Sequence, residues 1–349
     1  MKKSNLLSAI FLILLLNSCS KKNSILIPPT DSSILGTIIT DTQPVTIETN
    51  PTPPKRVPKR VPSRVSNHPI HQNRSIYGTT TFKLKTKLSK KVKESSGLIK
   101  VDGRLWTMND SGGRAELYQI DEQNGRVLKR VKIINAHNRD WEALTFDDNY
   151  IYIGDVGNNR GYRRDLRIYK IPRGALKNQK SIRAEVINFN YSDQKDFTKK
   201  ASRQTNFDCE AMVAYHGKLY LFSKDWGDNR TRLYELSTSV GKQIAKYKSS
   251  FNINGLVTDA SINRELDILL LSTYSSILTA DIWAFSNFKG ENFFNGDKKK
   301  LNIKPTTAQI EGITFIGSHK AYVSSEAFRK YIFSFDASLY SLDFSGEFE

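Results

Sequence analysis

Residues 141–171 read WEALTFDDNYIYIGDVGNNRGYRRDLRIYKI, and residues 209–236 read CEAMVAYHGKLYLFSKDWGDNRTRLYEL. Both run in the same order: an acidic residue, small or apolar residues, a strongly apolar run, a turn rich in Gly, Asn and Asp, then an aromatic flanked by apolar residues at period two. Period-two alternation marks a half-buried strand, and a short apolar run bounded by turn residues marks a buried one. The acidic marker recurs at the second position of Ser95-Ser96-Gly97-Leu98, Trp141-Glu142-Ala143-Leu144, Cys209-Glu210-Ala211-Met212, Thr258-Asp259-Ala260-Ser261 and Ile310-Glu311-Gly312-Ile313, with Ser96 in place of the acid in the first. Apolar runs follow at 105–110, 151–156, 219–224, 268–273 and 321–326. The aromatics are Tyr118, Tyr169, Tyr234, Trp283 and Phe333, spaced by 51, 65, 49 and 50 residues. The long interval holds a polar insertion near 192–206.

Both patterns count five. Units of three strands with room for a fourth, as at 126–133 and 184–191, predict an all-β chain: a β-propeller of five blades, with six as the alternative. The alternating run 80–88 (TTFKLKTKL) is expected to complete the last blade, unless 338–344 does so or belongs to a sixth. The propeller domain is placed at 79–349.

The start of the chain reads as an address. Met1-Lys2-Lys3 is basic, and the apolar stretch from Leu6 to Leu16 is too short for an ordinary membrane span and fits a signal peptide. It ends in Leu16-Asn17-Ser18-Cys19, which resembles a bacterial lipobox. Residues 1–18 are then a lipoprotein signal peptide, and Cys19 is the acylated residue, with palmitate-type chains that anchor stably because there are several of them. Cys209 is left as a lone thiol. Residues 19–78 are a Pro-, Lys- and Arg-rich linker: 51–65 read PTPPKRVPKRVPSRV, a density of Pro that forbids helix and favours an extended spacer.

The 53 Lys+Arg and 35 Asp+Glu give a net charge of +18, with +5 in residues 20–78 and +11 in 79–349. Both parts of the mature chain are basic. That suits a solvated surface or attraction to anionic lipid; nucleic acid is not expected as a partner outside the cytoplasm.

In a propeller the first strand of each blade lines the channel. Glu142, Glu210, Asp259 and Glu311 are therefore expected at one mouth, with Asn109 and Asp155, thirteen residues after their markers, close by; Asp110, Asp225 and Glu326 lie slightly further along. Two like charges ~4 Å apart cost about 4 kcal/mol at an effective dielectric of about 20. Such a ring binds a hard cation, for which calcium suits flexible all-oxygen ligands, or protonates, or accepts backbone amides and pairs with Arg or Lys. Trp141 and Trp226 adjoin the mouth as candidate ligand-stacking residues. The five histidines fall in the linker, loops or turns, and no G-x-S-x-G, P-loop or His-Glu-x-x-His pattern occurs.

The DWEAL and DCEAM stretches resemble an uncharacterised family of secreted and lipid-anchored propellers from Bacteroidetes-type bacteria. More distantly, SSGL and the Glu-Ala/Gly repeats resemble SdiA-regulated (YjiK-like) propellers and the family described as esterase-like activity of phytase. The resemblance covers about 95–335. It implies an envelope lipoprotein at the outer membrane, and the absence of an acidic run after Ser20 favours the periplasmic face. By likeness to calcium-dependent lactonase-type propellers, Glu142 and Glu311 would be metal ligands. Two functions follow: a binding or scaffold lipoprotein, calcium-stabilised at the acidic mouth, that takes a protein, glycan or small-molecule ligand; or a metal-dependent ester, lactone or phosphate-ester hydrolase using the same ring. Whether the chain is an enzyme stays open.

Overall fold

Each stretch with the shared order folds into an antiparallel meander, because buried apolar runs alternate with turn-forming Gly, Asn and Asp. In the computed structural model the described residues are 77–78, 80–276, 279–301, 303, 309–330 and 333–348. The expected signal peptide, Cys19 and nearly all of the linker lie outside them.

The chain is all-β. The first meander runs through Ser95–Val101, Arg104–Asn109, Glu116–Ile120 and Val127–Ile133; the second through Trp141–Phe146, Tyr150–Asp155, Leu166–Pro172 and Glu185–Tyr191. The third comprises Cys209–Tyr215, Lys218–Ser223, Thr231–Ser237 and Gly241–Phe251, and joins the second edge to edge through the parallel pairing of Glu185–Tyr191 with Gly241–Phe251. The fourth comprises Leu256–Asn263, Ile268–Ser276, Thr279–Ser286 and Asp297–Leu301. In the last sheet Ile310–Gly317, Lys320–Ser325 and Ser338–Asp343 are completed by Thr81–Lys87 from the start of the folded part, as the alternation of 80–88 predicts.

One expected strand falls elsewhere. Phe333–Phe335 forms a separate hairpin with Phe328–Lys330. The third strand of the last sheet is Ser338–Asp343, whose Leu339-Tyr340-Ser341-Leu342 also carries the aromatic signature.

The first strands of the four meanders and of the last sheet touch in a closed cycle: Ser95–Val101 against Trp141–Phe146, then Cys209–Tyr215, Leu256–Asn263, Ile310–Gly317, and back to Ser95–Val101. Hydroxyls latch several of these contacts. Thr145 Oγ1 accepts the Ala214 amide (3.2 Å), Ser261 Oγ that of Phe315 (3.2 Å) and Thr314 Oγ1 that of Lys100 (3.0 Å). Five apolar clusters fill the wedges between successive sheets, one of them joining Leu98, Leu105 and Tyr118 of the first to Tyr322 and Leu339 of the last. Trp106, Tyr152 and Phe222 are fully buried there, and burying each such side chain is worth about 1.5–3 kcal/mol. Among the described residues no helix is long and apolar enough to cross a membrane.

Candidate functional site

All five inner strands slip register at the same place, between Ser96 and Leu98, Trp141 and Ala143, Cys209 and Ala211, Val257 and Asp259, and Ile310 and Gly312. The slip leaves Gly97, Glu142, Glu210, Thr258 and Glu311 out of the ladder. A bulge re-aims the extra residue, and here it turns three glutamates toward one cavity of about 160 Å³. A second tier comes from the residue just past the ladder on three of the second strands, Asp110, Lys224 and Glu326, and from Tyr274, which still pairs with Leu256 in the fourth meander; all four line the same cavity, and Val156 is the counterpart of the first three in the second meander. Trp226 and Arg203 complete the mouth, with the guanidinium 5.0 Å from the indole centroid.

In the fourth meander the bulge comes one residue early. Thr258 is the extra residue, and Asp259 takes the ladder position held elsewhere by Ala143, Ala211 and Gly312. A one-residue offset reverses the side of a strand. Asp259 therefore does not line the cavity. Its fully buried carboxylate accepts the amides of Leu98 (3.3 Å), Ile313 (2.8 Å) and Ala260 (2.8 Å), tying the first, fourth and fifth inner strands together.

The other expected residues divide similarly. Asn109 donates to the Lys91 carbonyl (2.9 Å), while its buried Oδ1 has no partner among the described residues. Asp155 forms a buried ion pair with Arg163 (2.9 Å) and accepts the Asp140 amide (3.1 Å). Trp141 is fully buried against Tyr169 rather than open to a ligand. Trp226 does reach the cavity, with its Nε1–H donated to Asp208 (2.8 Å).

Lys224 is the residue that the strand pattern missed. Its ammonium lies 2.5 Å from Glu210 Oε2, between the rings of Trp226 (5.0 Å) and Tyr274 (4.9 Å). Burial alone would lower its pKa, but the charges of Glu210 and Glu311 outweigh burial and hold it well above the usual lysine value. The carboxyls go the same way for the opposite reason. Burial, reinforced by neighbouring carboxylates, pushes Glu142 well up, Glu311 to about 7 and Glu326 to about 8. Burial raises Glu210 against the pull of Lys224, and raises Asp110 against the Ser111 amide.

Asp140, also missed, stands beside this group; burial and the charges of Asp110 and Asp208 raise it to about 7. An added Cβ at Gly157 would collide with its carboxylate, so glycine there makes the room. Carboxylate oxygens of Asp110, Asp140 and Glu142 lie within 4.8 Å of one another, the span set by two calcium ligands at 2.3–2.6 Å. None of the three makes an ion pair among the described residues with Lys or Arg. The arrangement has carboxyls in excess over Lys224 and Arg203, and it can bind a cation or exchange protons near neutrality. No histidine lines it.

Compared with known proteins, the chain matches no family model and no curated protein.

Proposed function

We propose that this chain is a lipid-anchored envelope protein whose folded part is a five-bladed β-propeller, with a channel mouth that binds calcium on Asp110, Asp140 and Glu142 and uses it to hold an oxygen-rich envelope ligand. The cycle of inner strands and the five wedge-filling clusters support the propeller reading. The observation that carries the site is the three-carboxylate group beside a cavity whose lysine is already engaged by Glu210. Lys224 takes the part of a built-in cation for Glu210 and Glu311, so the mobile ion belongs with the carboxyls that have no ion-pair partner among the described residues, around Glu142. Trp226 supplies a flat surface beside it for a sugar or peptide group.

The test is calorimetric titration of EDTA-treated protein with calcium at pH 7.5. Saturable binding with proton release, lost in Glu142→Gln, is expected; neither heat nor a thermal shift at millimolar calcium would refute the site. The anchor is tested separately, by loss of labelled palmitate incorporation in Cys19→Ser.

A further inference from the structure

The last strand of the first meander, whose far end pairs in parallel with Ser181–Ile182 at Lys132 and Ile133, carries a different chemistry. Along Val127–Ile133 and into Ile134, alternate residues Leu128, Arg130, Lys132 and Ile134 are exposed, Leu128 at 58% and Ile134 at 49%. Beside them lies a concavity of about 760 Å³ that shares no lining residue with the acidic cavity. Arg104, Arg130, Lys132, Lys177 and Lys180 line it, against the single carboxylate of Glu116. Lys129 lies among them with its Nζ on the Leu176 and Lys177 carbonyls, which fixes the short helix Ala175–Asn178 and its Lys177 beside the strand. Among the described residues Arg104, Lys132, Lys177 and Lys180 have no ion-pair partner, and Arg130 has only a 3.9 Å contact with Glu116.

Unpaired cations gathered around a concavity focus a positive potential that attracts anions. The exposed Leu128 and Ile134, in phase with Arg130 and Lys132, separate a lipid surface from a soluble polyanion: basic residues alternating with aliphatics match a headgroup layer above acyl chains. We propose that this face docks the folded domain directly on an anionic membrane, with the cations on lipid phosphates and Leu128 and Ile134 at the headgroup–acyl boundary. The docking requires neither the acyl anchor nor the calcium site.

All of the described sheets lie after residue 76, so a chain beginning at Ser20, without the apolar leader or Cys19, keeps the fold and removes any acyl contribution. Its partition onto phosphatidylcholine vesicles with and without about 30% phosphatidylglycerol is measured by co-sedimentation near physiological salt. Binding to the anionic vesicles alone is expected. At about fivefold per cation, Arg130→Gln with Lys132→Gln lowers the partition coefficient about 25-fold. Leu128→Ser lowers it several-fold with no change of charge, and Lys90→Gln with Lys91→Gln, elsewhere on the surface, leaves it unchanged. Thermal melts confirm that the surface variants remain folded. Undiminished binding by the Arg130/Lys132 variant overturns the proposal. So does an equal loss in the Lys90/Lys91 variant, which would mean net charge alone. Insensitivity to Leu128→Ser together with equally tight binding of soluble heparin would overturn it in favour of a polyanion groove.

Discussion

Raising the pH from about 5.5 to 7.5 in EDTA should destabilise this protein. Asp140 and Glu311 titrate at about 7 and Glu326 at about 8 in the folded chain, against about 3.9–4.3 for unfolded Asp and Glu. Folded pKa values above the unfolded ones mean that the native state holds extra protons. Their contribution to stability is complete below pH ~4 and is lost as pH climbs through 7 to 8. Each retained proton gives a slope of about 1.4 kcal/mol per pH unit. Three independent groups would give about 4 kcal/mol per unit; the groups repel one another, so one proton is the floor. With about 2–4 °C per kcal/mol for a domain of this size, the melting temperature should fall by at least roughly 3 °C per pH unit. Thermal unfolding followed by circular dichroism at constant ionic strength reads this directly. Glu326→Gln cannot ionise, so its stability curve should be flatter by up to one proton, cross that of the parent, and lie above it at pH 8. Calcium should restore stability at pH 7.5 and do little at pH 5, where protons occupy its ligands. A melting temperature that is flat or rising from pH 5.5 to 7.5, or an unchanged slope in Glu326→Gln, refutes the reasoning.

Lys224→Met should cost about 3–5 kcal/mol in urea unfolding, because it leaves the Glu210 carboxylate buried without its partner; adding Glu210→Gln should recover much of that loss. Asp259→Ala orphans three backbone amides and should cost about 3 kcal/mol or more while leaving calcium affinity unchanged, which calorimetry checks. Gly157→Ala pushes the Asp140 carboxylate aside and should weaken calcium binding about tenfold (~1.4 kcal/mol), with only a small change in the melting temperature at pH 5.

How much of this was legible in the sequence depends on what each pattern encodes. All five second strands form where apolar runs such as IYIGDV and LYLFSK stand, because a buried strand writes itself as a short apolar stretch between turns. The fifth aromatic strand was misplaced because Tyr331-Ile332-Phe333 and Leu339-Tyr340-Ser341 both carry the signature, and the first kept the more regular spacing. Lys224 looked like the end of a strand; the signal available was a cation closing an apolar run at the position where Asp110 stands in the first meander. Asp140 sits two residues before Glu142; its counterpart is Asp208, two residues before Glu210 in the matching DCEAM stretch, so the signal was a repeat of two rather than of five.

The fourth marker exposes the deeper limit. In Thr258-Asp259-Ala260-Ser261 the acid aligns with Glu142 by sequence, yet the structural counterpart of Glu142 is Thr258. A hydroxyl latch agrees: Thr145, Ser261 and Thr314 each stand three residues after Glu142, Thr258 and Glu311. Side chains alternate faces with period two, so a bulge shifted by one residue turns a cavity carboxylate into a clamp on backbone amides. An acidic repeat in such a chain therefore predicts burial better than it predicts a shared site. Only three of five bulges carry a carboxyl here, and Asp110 and Glu326 flank the first-meander gap from the second tier while Tyr274 fills the fourth. The resulting wall is lopsided, with Lys224 balancing one side and Asp110, Asp140 and Glu142 left facing one another. That asymmetry, more than the number of acids, is what the proposed calcium site rests on.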